Sequence, residues 1–184
     1  SSTNNVCRTE APSEANLTLK PLNLAEFPAK TNNSKNQIVF IGCYSCDYTR
    51  KAYLTIQRLL KNYDIDYTFI HFPVKSETAY LSEYGACVYK ENPEKFWKLN
   101  NLIFSLDKEK VRDSKYIKSL IDELGVDSKQ VEKCTKNKGV QKKVSDQFEA
   151  IKQTGVYGTP TIFINKKAFV GPKPYRVYKR ALKK

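Results

Sequence analysis

Residues 37–46, QIVFIGCYSC, decide how this chain is read. Gln37 to Ile41 is a short apolar run rich in β-branched residues and closed by Gly42, which predicts a buried strand. Beyond it the period changes: Ile56, Leu59, Leu60 and Tyr63 fall at i, i+3, i+4 and i+7, one stripe of a helix. Cys43-Tyr44-Ser45-Cys46 therefore stands where a strand hands over to a helix. Two intervening residues there allow the sulfurs to meet. Cys43 at the helix N-terminus is expected to lie near unpaired backbone N–H groups and the positive dipole end, which favour a thiolate. Thiolate is the attacking species in disulfide exchange. Cys46, one turn further in, is expected to be more buried and to resolve a mixed disulfide. A zinc knuckle and two inert core cysteines also fit the spacing. Zinc usually asks for a second close pair or for nearby histidines, whereas Cys87 and Cys134 stand alone and His71 is the only histidine. Arg50 and Lys51 lie too far along the helix to be given a role.

Outward from this stretch, Tyr67 to Phe72 reads as a second buried strand stopped by Pro73. A helical block follows, from about residue 76 to 152. Asn92-Pro93-Glu94 is a helix start, with a capping side chain, proline at the first helical position and an acid in the first turn. Ile117, Leu120, Ile121 and Leu124 form one stripe ended by Gly125; Val140, Val144, Phe148 and Ile151 form another ended by Gly155. Strand character returns at Thr161 to Ile164 and Ala168 to Val170, a hairpin turning around Asn165 to Lys167, and Tyr175 to Leu182 reads as a basic terminal helix. Gly158-Thr159-Pro160-Thr161 precedes that hairpin. Proline entering a strand removes a ladder donor, so a bend, a cis bond or a simple turn all fit. Residues 1–30 are polar and broken by Pro12, Pro21 and Pro28, which predicts a flexible leader. The simplest architecture is a sheet domain, residues 31–75 and 155–184, interrupted by a helical insertion, residues 76–154.

Composition bounds the function. With 184 residues, 40% hydrophobic and 28% charged, the chain is long and apolar enough for one substantial domain. Its longest apolar run, Ile38 to Tyr44, is far short of a spanning helix. The absence of methionine is expected from processing: loss of an initiator residue, of a signal peptide or of a membrane anchor upstream, or excision. The formal net charge is +13, and residues 131–184 carry 14 basic against three acidic side chains. These lysines are scattered among apolar residues with no nucleic-acid-reading motif, so a solvated face is expected rather than a nucleic-acid partner.

Taken together, Ile38 to Cys46, His71-Phe72-Pro73, Lys90 to Ser105 (KENPEKFWKLNNLIFS) and Val156 to Asn165 (VYGTPTIFIN) resemble the DsbA-like thiol–disulfide oxidoreductases of the thioredoxin superfamily. The resemblance covers about residues 35–182. It implies an α/β thioredoxin fold with a helical insertion subdomain and a periplasmic or otherwise extracytoplasmic location, with tethering through an upstream anchor as an option. It implies that Cys43 and Cys46 are catalytic and that Pro160 is cis and packs beside them. Thr159 and Pro160, with Tyr44 and Ser45, would then meet an extended substrate segment by strand addition. Substrates would be reduced or misoxidised exported proteins. A membrane quinone-linked partner of the DsbB or vitamin-K-epoxide-reductase type would restore an oxidase, and neither cofactor nor metal is called for. Cys87 and Cys134 resemble a second cysteine pair of some relatives, which implies a structural disulfide; two unpaired core thiols are the alternative.

Departures from the family pattern shape the expectation. Its strong oxidases commonly hold Pro-His between the cysteines, whereas Tyr44-Ser45 supplies no cation, and Gln37 stands where many such enzymes keep a buried acid. A less stabilised Cys43 thiolate and a moderately oxidising dithiol oxidase are expected. Thr159, in place of the valine of the best-known oxidase, leaves a reductase or isomerase open, and a redox-inactive binding module is the reading from a different class. Cys7 is expected to be the leftover thiol, free or paired between chains. His71 is expected to be a strand residue with a satisfied ring, and Trp97 to be core. Two glycosylation-like tripeptides, Asn16-Leu17-Thr18 and Asn32-Asn33-Ser34, are expected to be accidental.

Overall fold

In the computed structural model, which describes residues 6–7 and 16–184, the two apolar runs become the centre of a sheet. Strands β3 (Gln37–Gly42) and β4 (Asp66–His71) pair in parallel from Gln37↔Asp66 to Gly42↔His71. Helix α1 (Asp47–Asn62) makes the crossover between them. β3 lacks polar alternation because both its faces are covered. Ile38 and Phe40 join one hydrophobic cluster, with α1 and the insertion, while Val39 and Ile41 join a second on the other face. Antiparallel to β3 runs β6 (Thr161–Ile164), and antiparallel to β6 runs β7 (Lys167–Val170). Asn165 and Lys166 turn that hairpin with φ of 49° and 73°, the mirror-image turn whose twist suits paired strands.

The order across the five-stranded sheet is β2-β4-β3-β6-β7, where β2 (Ala29–Lys30) is a two-residue edge strand antiparallel to β4. That edge corrects the expected leader. Residues 16–30 lie against the domain: Leu17 and Phe27 are buried, and the Thr18 amide donates to the Thr154 carbonyl at 3.0 Å. Residues 1–5 and 8–15 of the expected leader lie outside the described residues. Between them, β1 (Val6–Cys7) pairs in parallel with β5 (Gly158–Thr159) as a separate two-stranded ribbon.

Six helices run in sequence between β4 and β5: α2 (Tyr80–Glu91), α3 (Pro93–Ser105), α4 (Lys108–Arg112), α5 (Ser114–Glu123), α6 (Ser128–Thr135) and α7 (Lys138–Gln153). Their starts follow the capping chemistry: the Asn92, Asp113, Asp127 and Asn137 side chains each accept from a backbone N–H in the first turn. A disulfide joins Cys87 on α2 to Cys134 on α6, closing a long stretch of the insertion. Helix α8 (Tyr175–Arg180) returns onto α1, with the Arg58 guanidinium over the Tyr175 ring. No helix among the described residues is long and apolar enough to cross a membrane.

Candidate active site

The loop between β3 and α1 carries both motif cysteines. α1 begins at Asp47 with Cys46 as its N-cap residue, so Cys43 precedes the helix rather than opening it. The expected difference in burial is also absent, since both cysteines are 0% exposed. The Cys46 amide closes the turn on the Cys43 carbonyl at 3.1 Å, and the Cys43 amide donates to Thr49 Oγ1 at 3.3 Å. Gly42 makes this approach possible. A Cβ there would sit 2.5 Å from Thr49 Cγ2 and 2.6 Å from the Phe40 ring.

Hydroxyl groups surround the sulfurs. Ser45 Oγ lies 3.6 Å and Thr78 Oγ1 3.8 Å from Cys43 Sγ, and the two hydroxyls are 3.5 Å apart. Thr159 Oγ1 donates to Cys46 Sγ at 3.2 Å, which brings the Thr159–Pro160 segment against the motif from 113 residues away. The Thr159–Pro160 bond is cis. Thr78 comes from a short 3-10 turn at the start of the insertion, and nothing in its sequence neighbourhood marks it.

Two expected substrate contacts turn inward. Tyr44 is buried, its ring 4.3 Å from that of His71, 5.5 Å from Phe69 and 5.1 Å from Phe104, with its phenol donating to Asn100 Oδ1 at 2.7 Å. Burial holds that phenol well above its ordinary pKa. Tyr44 therefore anchors the redox loop in the aromatic core and reaches Asn100 on α3. Ser45 is buried against the Cys43 sulfur.

Arg50 gains the role that sequence reasoning missed. Its guanidinium donates to the Tyr44 carbonyl at 2.9 Å, to Ile103 at 3.4 Å, to Phe104 at 3.1 Å and to Leu106. The last three end α3, so one cation satisfies a helix C-terminus and ties it to the motif loop. Partial burial lowers the Arg50 pKa from its ordinary value. His71 is satisfied on one side only: Nδ1 meets Ser82 Oγ at 3.0 Å, while Nε2 is buried with no hydrogen-bond partner. Burial pushes its pKa down to about 3, leaving the ring neutral. It lines a mainly apolar cavity of about 560 Å³ between the sheet, α2 and α7.

Cys7 departs furthest from expectation. It is bonded to Cys46, and Cys43 is the free thiol. β1 lies along β5 with Val6↔Gly158 and Cys7↔Thr159 in register, so strand pairing carries Cys7 to the Thr159 position. Among the described residues no cluster of three His, Cys, Asp or Glu side chains is placed to hold a metal ion.

A thioredoxin-like sheet with a helical insertion, bearing a CxxC loop against a buried Thr-Pro segment, defines the thiol–disulfide oxidoreductases as the class. The chain belongs to the DSBA-like thioredoxin domain family, whose model matches residues 3–183. Solved structures agree on the fold. The thiol–disulfide exchange protein α-DsbA2 of Wolbachia pipientis superposes with a TM-score of 0.74 at 20% identity, covering 88% of each chain. A periplasmic thioredoxin-like protein of Salmonella enterica serovar Typhimurium gives 0.71 at 17% identity, covering 89% of this chain and 91% of its own. Oxidised BdbD of Bacillus subtilis gives 0.68 at 15% identity, covering 96% of this chain and 94% of its own. No curated protein matches the chain by sequence.

Proposed function

We propose that the chain is an extracytoplasmic dithiol oxidase of moderate oxidising power, with Cys43 and Cys46 as its exchanging pair. In this reaction a substrate thiolate attacks Cys43 Sγ of a Cys43–Cys46 disulfide, and Cys46 leaves as thiolate. A second substrate thiolate then attacks its partner sulfur and releases Cys43, leaving the substrate oxidised and the motif as a dithiol. The observation that carries the reading is the Thr159 hydroxyl donating to Cys46 Sγ at 3.2 Å. That contact supports Cys46 as the sulfur that leaves, since a donor stands on it, and Thr159 belongs to β5. β1 already pairs with that strand, which supports strand addition as the way a substrate segment is held.

Hydroxyls in place of a cation at Cys43 support a couple short of the strongest oxidants. Each turnover consumes the disulfide, so an oxidant is needed; outside the cytoplasm the fitting class is a membrane quinone-linked protein of the DsbB or vitamin-K-epoxide-reductase type. Clients are reduced exported proteins.

Refolding of a reduced, unfolded disulfide protein tests the activity: Cys43→Ala abolishes it, and undiminished activity in that variant rules the reading out. Direction is tested by the reduction potential of the Cys43–Cys46 couple in a Cys7→Ser chain. A value in the upper half of the roughly −120 to −270 mV span fits an oxidase, and one at the lower end assigns a reductase.

A further inference from the structure

We infer that Cys7 is a third exchanging cysteine, which closes the site by bonding the resolving sulfur of Cys46 while β1 occupies the strand position beside Thr159. The inference rests on the proposed function, because it gives the same groove an internal occupant. Two independent observations carry it. One is covalent, the Cys7–Cys46 disulfide that leaves Cys43 as a buried free thiol. The other is the parallel register of β1 on β5, which sets Cys7 opposite Thr159, whose hydroxyl donates to the same Cys46 sulfur. A leftover thiol needs no strand pairing, and a disulfide needs none at this particular strand.

Opening needs no outside oxidant or reductant. The Cys43 thiol loses its proton and its thiolate attacks Cys46 Sγ. The Cys7–Cys46 bond breaks as the Cys43–Cys46 bond forms, and Cys7 leaves with the electron pair and takes up a proton. One disulfide is exchanged for another, so the chain stays oxidised by two electrons throughout. In the closed isomer Cys43 is buried and reduced, and β5 is occupied. In the open isomer the disulfide sits at Cys43–Cys46 and β5 is free for a substrate. Covalent tethering makes the Cys7 attack intramolecular, so its effective concentration exceeds that of dilute substrate thiols.

Trypsin separates the isomers. Residues 1–8 (SSTNNVCR) hold Cys7, and residues 36–50 (NQIVFIGCYSCDYTR) hold both motif cysteines. Oxidised full-length protein is quenched in acid, alkylated, digested without reduction and mapped by mass spectrometry. The expected product joins the two peptides through Cys46 with Cys43 alkylated. Cys43→Ser, which lacks the attacking thiolate, drives the map wholly to the Cys7–Cys46 cross-link. Cys7→Ser oxidises a peptide dithiol faster in its first turnover, by about tenfold if the closed isomer holds nine-tenths of the wild type. A wild-type map with Cys7 alkylated and residues 36–50 internally bonded overturns the inference. So does an equal, measurable first-turnover rate in Cys7→Ser and wild type. A cross-linked map with neither protein oxidising the dithiol supports the internal bond and counts against the proposed function alone.

Discussion

Arg50→Ala tests whether one side chain joins the redox loop to the insertion. The guanidinium serves four carbonyls, of Tyr44, Ile103, Phe104 and Leu106, and three of those end α3. A typical hydrogen bond contributes about 0.5–1.5 kcal/mol net, and those from charged donors about 1.5–3 kcal/mol. Arg50 is only half-buried, so solvent screens its charge and the lower range applies. The bond to Ile103, at 3.4 Å, is long and adds little. Removing the side chain is therefore expected to destabilise the protein by about 2–4 kcal/mol, a fall in Tm of roughly 5–15 °C for a chain of this size. Urea denaturation gives the free energy, and the slope should not change. Arg50→Lys should recover only part of the loss, because an ammonium is a point donor without the planar fork that spans two carbonyls. A midpoint for Arg50→Ala equal to that of the wild type would show that the loop and α3 hold each other without the clamp.

Three further outcomes are expected. Gly42→Ala forces a Cβ onto Thr49 and Phe40, so a loss of about 1–3 kcal/mol in a denaturant titration is expected, and an unchanged midpoint contradicts the packing described. His71 titrates at about 3 when folded, below its ordinary 6.5, so the unfolded chain binds the extra proton between those values. Its contribution is complete above about pH 6.5 and is lost as the pH falls toward 3, at up to about 1.4 kcal/mol per pH unit. His71→Leu should flatten the acid limb of stability relative to wild type, and parallel limbs would show the ring to be solvated. Thr159→Val removes the donor on Cys46 Sγ, which destabilises the reduced form. In a Cys7→Ser background the potential should fall by about 10–30 mV, as equilibrium with glutathione reads it, and an unmoved potential denies the hydroxyl any part.

The middle of the fold was legible because local signals agreed there. Gln37 to Gly42 holds the apolar run Ile38 to Ile41, Asp66 to His71 is rich in aromatic and β-branched residues, and a striped helix lies between them; that combination has few other readings. The motif cysteines were placed at a strand-to-helix junction by the same local signals, whereas the Thr159–Pro160 segment, which by itself also fits a simple turn, was singled out through the family resemblance. Other features depend on distant partners. β2 is two residues long and exists only because β4 offers it an edge. Arg50 looks like any surface cation of an amphipathic helix until α3 presents its carbonyls. Tyr44 stands in a short loop among small residues, so its burial against Phe104 and Asn100 depends on the insertion. Cys7 is the extreme case: its partner is 39 positions away and its strand partner lies near the far end of the chain.

The blunt margins of the main sheet have a consequence if, as proposed, the protein oxidises reduced, unfolded chains. At one side β2 offers two residues, and at the other β7 offers four, opening on exposed Lys167 and halted by Gly171-Pro172. Short margins guarded by charge and proline give sticky polypeptides little to zip onto, which discourages co-aggregation. The ribbon strip at β5 is different, since it takes an added strand directly over the sulfur chemistry. Under the proposed function, a client would thus be turned away along the flanks and received where its thiols can react.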